Sequence, residues 1–179
     1  MQHVQLTLVR WLLSINPRFM HTAWGFPVAQ SLHFIGLELL VGTIWLFDLR
    51  LLGVAKRIPI AALHRLVPWT LLGYSFNVVT GALFLMTEPD QYILNRAFQF
   101  KLLFMTVAGV NAAAFYLIAY RSVTSPDAGQ EAPTSARIIA GVSLCCWLAV
   151  IICGRLITFY RPGPCGPAGG GFLADCFPR

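Results

Sequence analysis

Charge is scarce in this sequence. Acidic and basic residues make up 11% of its 179 positions, where an ordinary soluble domain carries about 25%. So few ionic groups cannot cover a soluble surface. With 57% of the chain hydrophobic and a mean hydropathy of +0.68, the class is integral membrane. Other absences narrow the chemistry. No Cys-x-x-Cys-His run is present, which excludes the usual covalent haem attachment. There is no Gly-x-Ser-x-Gly elbow and no Cys/His pair at matching depth, so hydrolase chemistry lacks a nucleophile. The glycine-rich GPAGGG is followed by neither a helix nor a Lys-Ser/Thr pair, so it is no phosphate loop. Zinc-finger and helix-turn-helix spacings are missing, and no basic stripe interleaves with exposed aromatics. The net charge of +6 sits beside apolar runs, which is the membrane pattern and not that of a nucleic-acid binder. A cleavable signal is not expected either. The segment VQLTLVRWLLSI (4–15) has Arg10 in its middle and no small-x-small site after it. It is also too short to cross a bilayer, which takes about 20 residues. It reads as an interfacial helix, ended by Pro17, Gly25 and Pro27.

What is present is four apolar runs long enough to cross, at 28–52, 66–86, 98–120 and 138–160. Short connections predict antiparallel neighbours. The expected fold is all-α: a four-transmembrane-helix antiparallel bundle with an N-terminal interfacial helix. Its parts are residues 1–27 (helix and loop), 28–160 (membrane domain) and 161–179 (a Gly/Pro-rich tail). The connection RSVTSPDAGQEAPTSAR is polar and rich in Pro and Ser, as a mobile loop would be. Arg50, Lys56, Arg57 and Arg65 crowd the first connection, and Arg121 and Arg137 bracket the third. By the positive-inside rule these connections are cytoplasmic. Both termini are then periplasmic in a bacterial inner membrane. There Cys165 and Cys176 of the tail could form a disulfide, the alternative being two free thiols. Cys145, Cys146 and Cys153 read as buried small residues.

The polar groups inside the spans sort by depth, at about 1.5 Å per residue. His33 falls about 10 Å from the centre toward the outer face. Lys101 and Arg155 lie near the same level, Met86 slightly further out and Met105 slightly deeper. Glu38 is a turn and a half below His33. Intramembrane charges are functional candidates by default, and Gly36, one turn from His33, would leave space beside the imidazole. The structural alternative is a buried ion-pair network of Glu38, Lys101 and Arg155 that sets helix register. Near the inner interface, Asp48 and Arg50 in FDLRLLG, with His64 and Arg65, read as a locally paired anchor. Asn77, Thr80 and Gly81 share a face of the second span with Gly73 and Tyr74, a strip suited to close packing. Asn111 is the expected hydrogen-bond partner of Asn77.

The outer cluster admits three readings. One is haem b held by His33, with His21 or Met86 as second ligand and Lys101 and Arg155 on the propionates. His64 cannot pair with His33, because the two lie about 30 Å apart along the membrane normal. The second is copper on His21, His33, Met86 and Met105, with Met20 nearby, since imidazole and thioether suit that ion. The third is an accessory subunit with no cofactor, packed on a larger membrane complex; in the haem or metal readings the chain would instead serve a periplasmic redox partner.

The motifs SLHFIGLELLVG, FDLRLLG, Pro68-Trp69, TGALF, FQFKLL, AGVNAAAF and SLCCWLAVIICGRLITFY resemble a family of small four-helix bacterial inner-membrane proteins of unknown function. The likeness spans roughly residues 31–160. More loosely, the chain is similar to copper-resistance CopD and cytochrome b561-type bundles, which place histidines on membrane helices. The b561 pattern uses four such histidines at two levels, whereas only His33 lies well inside a span here. That departure argues against transmembrane transfer between two haems and leaves a single outer haem or metal site.

Overall fold

The computed structural model describes residues 2–15, 17–54, 56–124 and 132–161, and among them there are helices and no strand. Four helices are long and apolar enough to cross a membrane. The predicted tail disulfide between Cys165 and Cys176 lies outside the described residues.

Helix α1 covers Gln2–Ile15. A 3-10 turn at Arg18–His21 follows, then α2 at Gly25–Leu51. Gly25 is required where α2 begins, because a Cβ there would run into the Phe19 carbonyl. Pro27 sits in the first turn of α2, where its missing N–H costs nothing. Two bonds close α2 at its other end. Val54 N–H donates to Leu49 O at 2.9 Å and Gly53 N–H to Arg50 O at 3.1 Å. This is a Schellman cap, and Gly53 supplies the positive φ of 98° that it needs. A short helix α3 at Ile60–His64 precedes α4 at Val67–Thr87. Pro68 explains the break between them, since it has no N–H to continue the α3 ladder. Helix α5, Pro89–Ile93, leads into α6, Arg96–Ala114. The third span then continues as a π-helical segment, Phe115–Ala119, and α7, Tyr120–Thr124. Helix α8 is Thr134–Phe159.

The chain forms two compact units. The first comprises Met1–Phe34, Phe76–Leu103 and Val150–Arg179. Its core is Met20, Ala29 and Phe84, with Leu83 and Tyr92 packed against it. Helix α1 packs on α5, turning Val9 and Leu12 inward and leaving Trp11 and Leu13 exposed. Asn95, fully buried, ties two helix ends together. Its Oδ1 accepts from Ala97 N–H at 2.9 Å and so caps α6. Its Nδ2 donates to the carbonyls of Ile157 at 3.2 Å and Tyr160 at 2.8 Å, which the end of α8 leaves without helical partners.

The second unit comprises Ile35–Ser75 and Phe104–Ala149. Its core contains Leu51, Phe115, Ala119, Val123, Ala136 and Ala140. Helices α2 and α4 meet at Gly73, where an added Cβ would lie 2.7 Å from both Gly36 O and Leu40 N. The Thr43 and Thr70 hydroxyls bond each other across the same pair at 2.7 Å.

Candidate functional site

In the first unit α2 presents His33 to α4. The imidazole Nδ1 lies 2.7 Å from Thr80 Oγ1, and Thr80 Oγ1 donates to Phe76 O at 2.5 Å. A hydroxyl has one hydrogen. With that hydrogen on Phe76 O, Thr80 accepts from His33, so Nδ1 carries the proton and Nε2 keeps its lone pair. Such a second-shell bond fixes both tautomer and ring orientation. Phe84 adds an edge contact, its centroid 5.4 Å from that of the imidazole. Phe84 also packs with Met20 of the 3-10 turn, so the segment before α2 reaches this region through Met20. His21, at the end of the turn, is exposed. Beside the imidazole, Gly81 is open enough that an added Cβ would find only His33 Cε1, at 3.9 Å.

Lys101 approaches from α6. Among the described residues it interacts electrostatically with His33 and Cys153. Its Nζ lies beside Gly154 of α8, where an added Cβ would be at an ordinary contact distance of 3.8 Å. Met86 is half-buried in this unit.

The other expected members are placed differently. Arg155 is exposed, its guanidinium 4.9 Å above the Phe159 ring, and Glu38 is exposed as well. Neither Glu38 nor Arg155 is a buried charge. Gly36 is buried, and its carbonyl oxygen is one of the α2 backbone atoms that Gly73 faces. Met105 lines a cavity in the second unit. Asp48 and Arg50 are both buried but lie two residues apart, and such residues do not face each other on a helix. Arg50 Nε donates to Ile58 O at 2.6 Å. Asn111 Nδ2 bonds Ile139 O on α8 at 2.9 Å. Asn77 is half-buried on α4. Cys146 and Cys153 are buried thiols, while Cys145 is exposed. Among the described residues no group of three or more His, Cys, Asp or Glu side chains is arranged to hold a metal ion.

Two residues that matter here escape a reading by depth. Thr80 was expected only to pack, yet it orients His33. Asn95 sits in a connection, where only its cap-forming side chain ahead of an apolar run could have marked it.

These features define an all-helical, multi-pass membrane protein in contact with lipid, with one oriented histidine in its first unit. The chain matches no family model, no curated protein and no solved structure.

Proposed function

We propose that this chain is a membrane subunit that carries a redox-active group, haem b, on His33. The carrying observation is the Phe76–Thr80–His33 chain of hydrogen bonds, which leaves Nε2 as the lone-pair nitrogen. The donor set fits a haem with one axial imidazole: Lys101, whose described electrostatic partners are His33 and Cys153, suits a propionate. When bound, haem supplies one-electron chemistry. The residues of the chain orient the ligand and balance charge. The positive-inside count puts this unit toward the periplasm of a bacterial inner membrane.

An absorption spectrum of the purified protein tests the reading. A Soret band is expected that His33→Ala abolishes. Thr80→Val, which keeps the imidazole but removes its acceptor, should weaken haem affinity about tenfold or more, while Thr80→Ser preserves it. Stoichiometric copper without a Soret band would replace haem by copper. A protein with neither would overturn the redox reading.

A second reading, an accessory subunit of a membrane complex, is favoured by Glu38. An ionisable group in a span ordinarily faces a protein interior or a water-filled cavity, yet Glu38 is exposed. Cover by a second membrane protein would remove that cost. The native mass in mild detergent should exceed that of one chain, and Glu38→Leu should reduce it. A monomeric wild type would reject this reading.

A further inference from the structure

The second unit contains a cavity of about 380 Å³. That is within the range of about 300–1,000 Å³ typical of small-molecule sites. The wall is mostly aliphatic and aromatic, with Phe47, Tyr74, Phe115, Tyr116 and Trp147 on it. Phe115 and Tyr116 belong to the π-helical segment, and such segments occur frequently at functional sites. Phe47 and Phe115 meet edge to face, with centroids 5.2 Å apart at 89°.

Asp48 stands on this wall. It is 5% exposed. The Ser143 hydroxyl bonds its carboxyl group, but Oδ2 is buried and has no hydrogen-bond partner among the described residues. A buried acceptor in that state is costly unless something donates to it. The nearby polar groups are engaged elsewhere. One of the Thr43 and Thr70 hydroxyls donates to the other, which passes its own hydrogen to a backbone carbonyl, Leu39 O if that is Thr43 and Leu66 O if it is Thr70. His64, the basic side chain among the described lining residues, turns its Nε2 to Tyr116 OH at 3.5 Å and its ring to Tyr120.

The wall of the cavity thus holds a carboxyl group with one unmatched oxygen, beside aromatic and aliphatic surface. A complementary occupant carries a positive charge with N–H donors on an apolar body. The carboxylate pairs with the ammonium, and aromatic faces attract a cation. We infer that the cavity binds lipophilic primary amines in their protonated form, with Asp48 as counter-ion. This site does not rest on the His33 reading.

Calorimetric titration of the detergent-solubilised full chain with phenethylammonium, and with its uncharged analogue 2-phenylethanol, provides the test. The wild type should bind the ammonium saturably and about tenfold or more tighter than the alcohol. Asp48→Asn should bring the ammonium down to the level of the alcohol. Equal affinities in the wild type, no saturable binding, or an unchanged Asp48→Asn variant would overturn the proposal. If Asp48→Asn does not fold, Gly109→Leu decides. Gly109 lines the cavity and a Cβ on it meets nothing within 4 Å, so leucine should block phenethylammonium while the carboxylate stays in place. Wild-type affinity in a folded Gly109→Leu variant would equally refute it.

Discussion

At the scale of the residue, single polar side chains join elements whose surfaces are otherwise apolar. Asn95 serves one helix start and one helix end through both ends of its amide. Asn95→Ala should cost about 2–4 kcal/mol, combining a lost cap with buried carbonyls left unpaired. Asn95→Asp keeps the acceptor for Ala97 N–H but loses both donations, so it should restore only the cap. Reversible unfolding in detergent would show whether the two variants separate; equal losses would deny the double role. Tyr92 gives a pH signature. Burial, aided by the Glu88 carboxylate and opposed by Arg161, pushes its phenol up from 10.0 to about 12. The neutral phenol is therefore favoured in the folded state. Its contribution is complete below pH 10 and is lost as pH rises toward about 12. Melting temperatures followed from pH 9 to 12 should fall more steeply for the wild type than for Tyr92→Phe, and parallel curves would exclude the effect. His33 is the same kind of case in the membrane: its depth is legible from chain position, but the nitrogen that carries its proton depends on Thr80, a residue 47 positions away.

At the scale of the element, the ends of the spans follow local chemistry. The glycine of FDLRLLG closes α2, and Pro68 separates α3 from α4. These signals are covalent and conformational, so they operate before any packing. Glycines inside helices divide by what faces them. Gly73 has no room for a Cβ against the backbone of α2. Gly73→Ala should force α4 away and cost about 1–3 kcal/mol. Gly42, also on α2, would place a Cβ with nothing within 4 Å. Gly42→Ala should be neutral or stabilise by up to about 1 kcal/mol, because alanine loses less backbone entropy in a helix. Unfolding in increasing SDS measures both, and equal effects would show that the Gly73 contact does not hold α2 and α4 together. Nothing in the residue types distinguishes these glycines, and the π-helical segment at Phe115–Ala119 is equally unmarked by its composition, FYLIA.

At the scale of the whole molecule, between 17% and 39% of each apolar window is fully buried within the chain, so the rest of each window keeps some surface for lipid or partner chains. The charge pattern predicts which connections face the cytoplasm. In a cysteine-free background, Asp90→Cys in intact cells should react with an impermeant thiol reagent and Arg57→Cys should not; the reverse pattern would invert the orientation. The number of long apolar helices, the break at Pro68, the cap at Gly53 and the level of His33 in its span were all written in the chain, because length, hydropathy and rise per residue depend only on position along it. Direction around each helix was not. In a soluble helix the apolar stripe marks the inside, but here the lipid-facing side is as apolar as the packed one, so sequence supplies depth without azimuth. Glu38 and Arg155 share the outer half with His33 by depth, yet both are exposed. Asp48 stands two positions from Arg50 in the chain, and only the packing of the helices makes it part of a cavity wall. Tertiary packing alone decided which polar groups meet, since that depends on how the helices are rotated against one another.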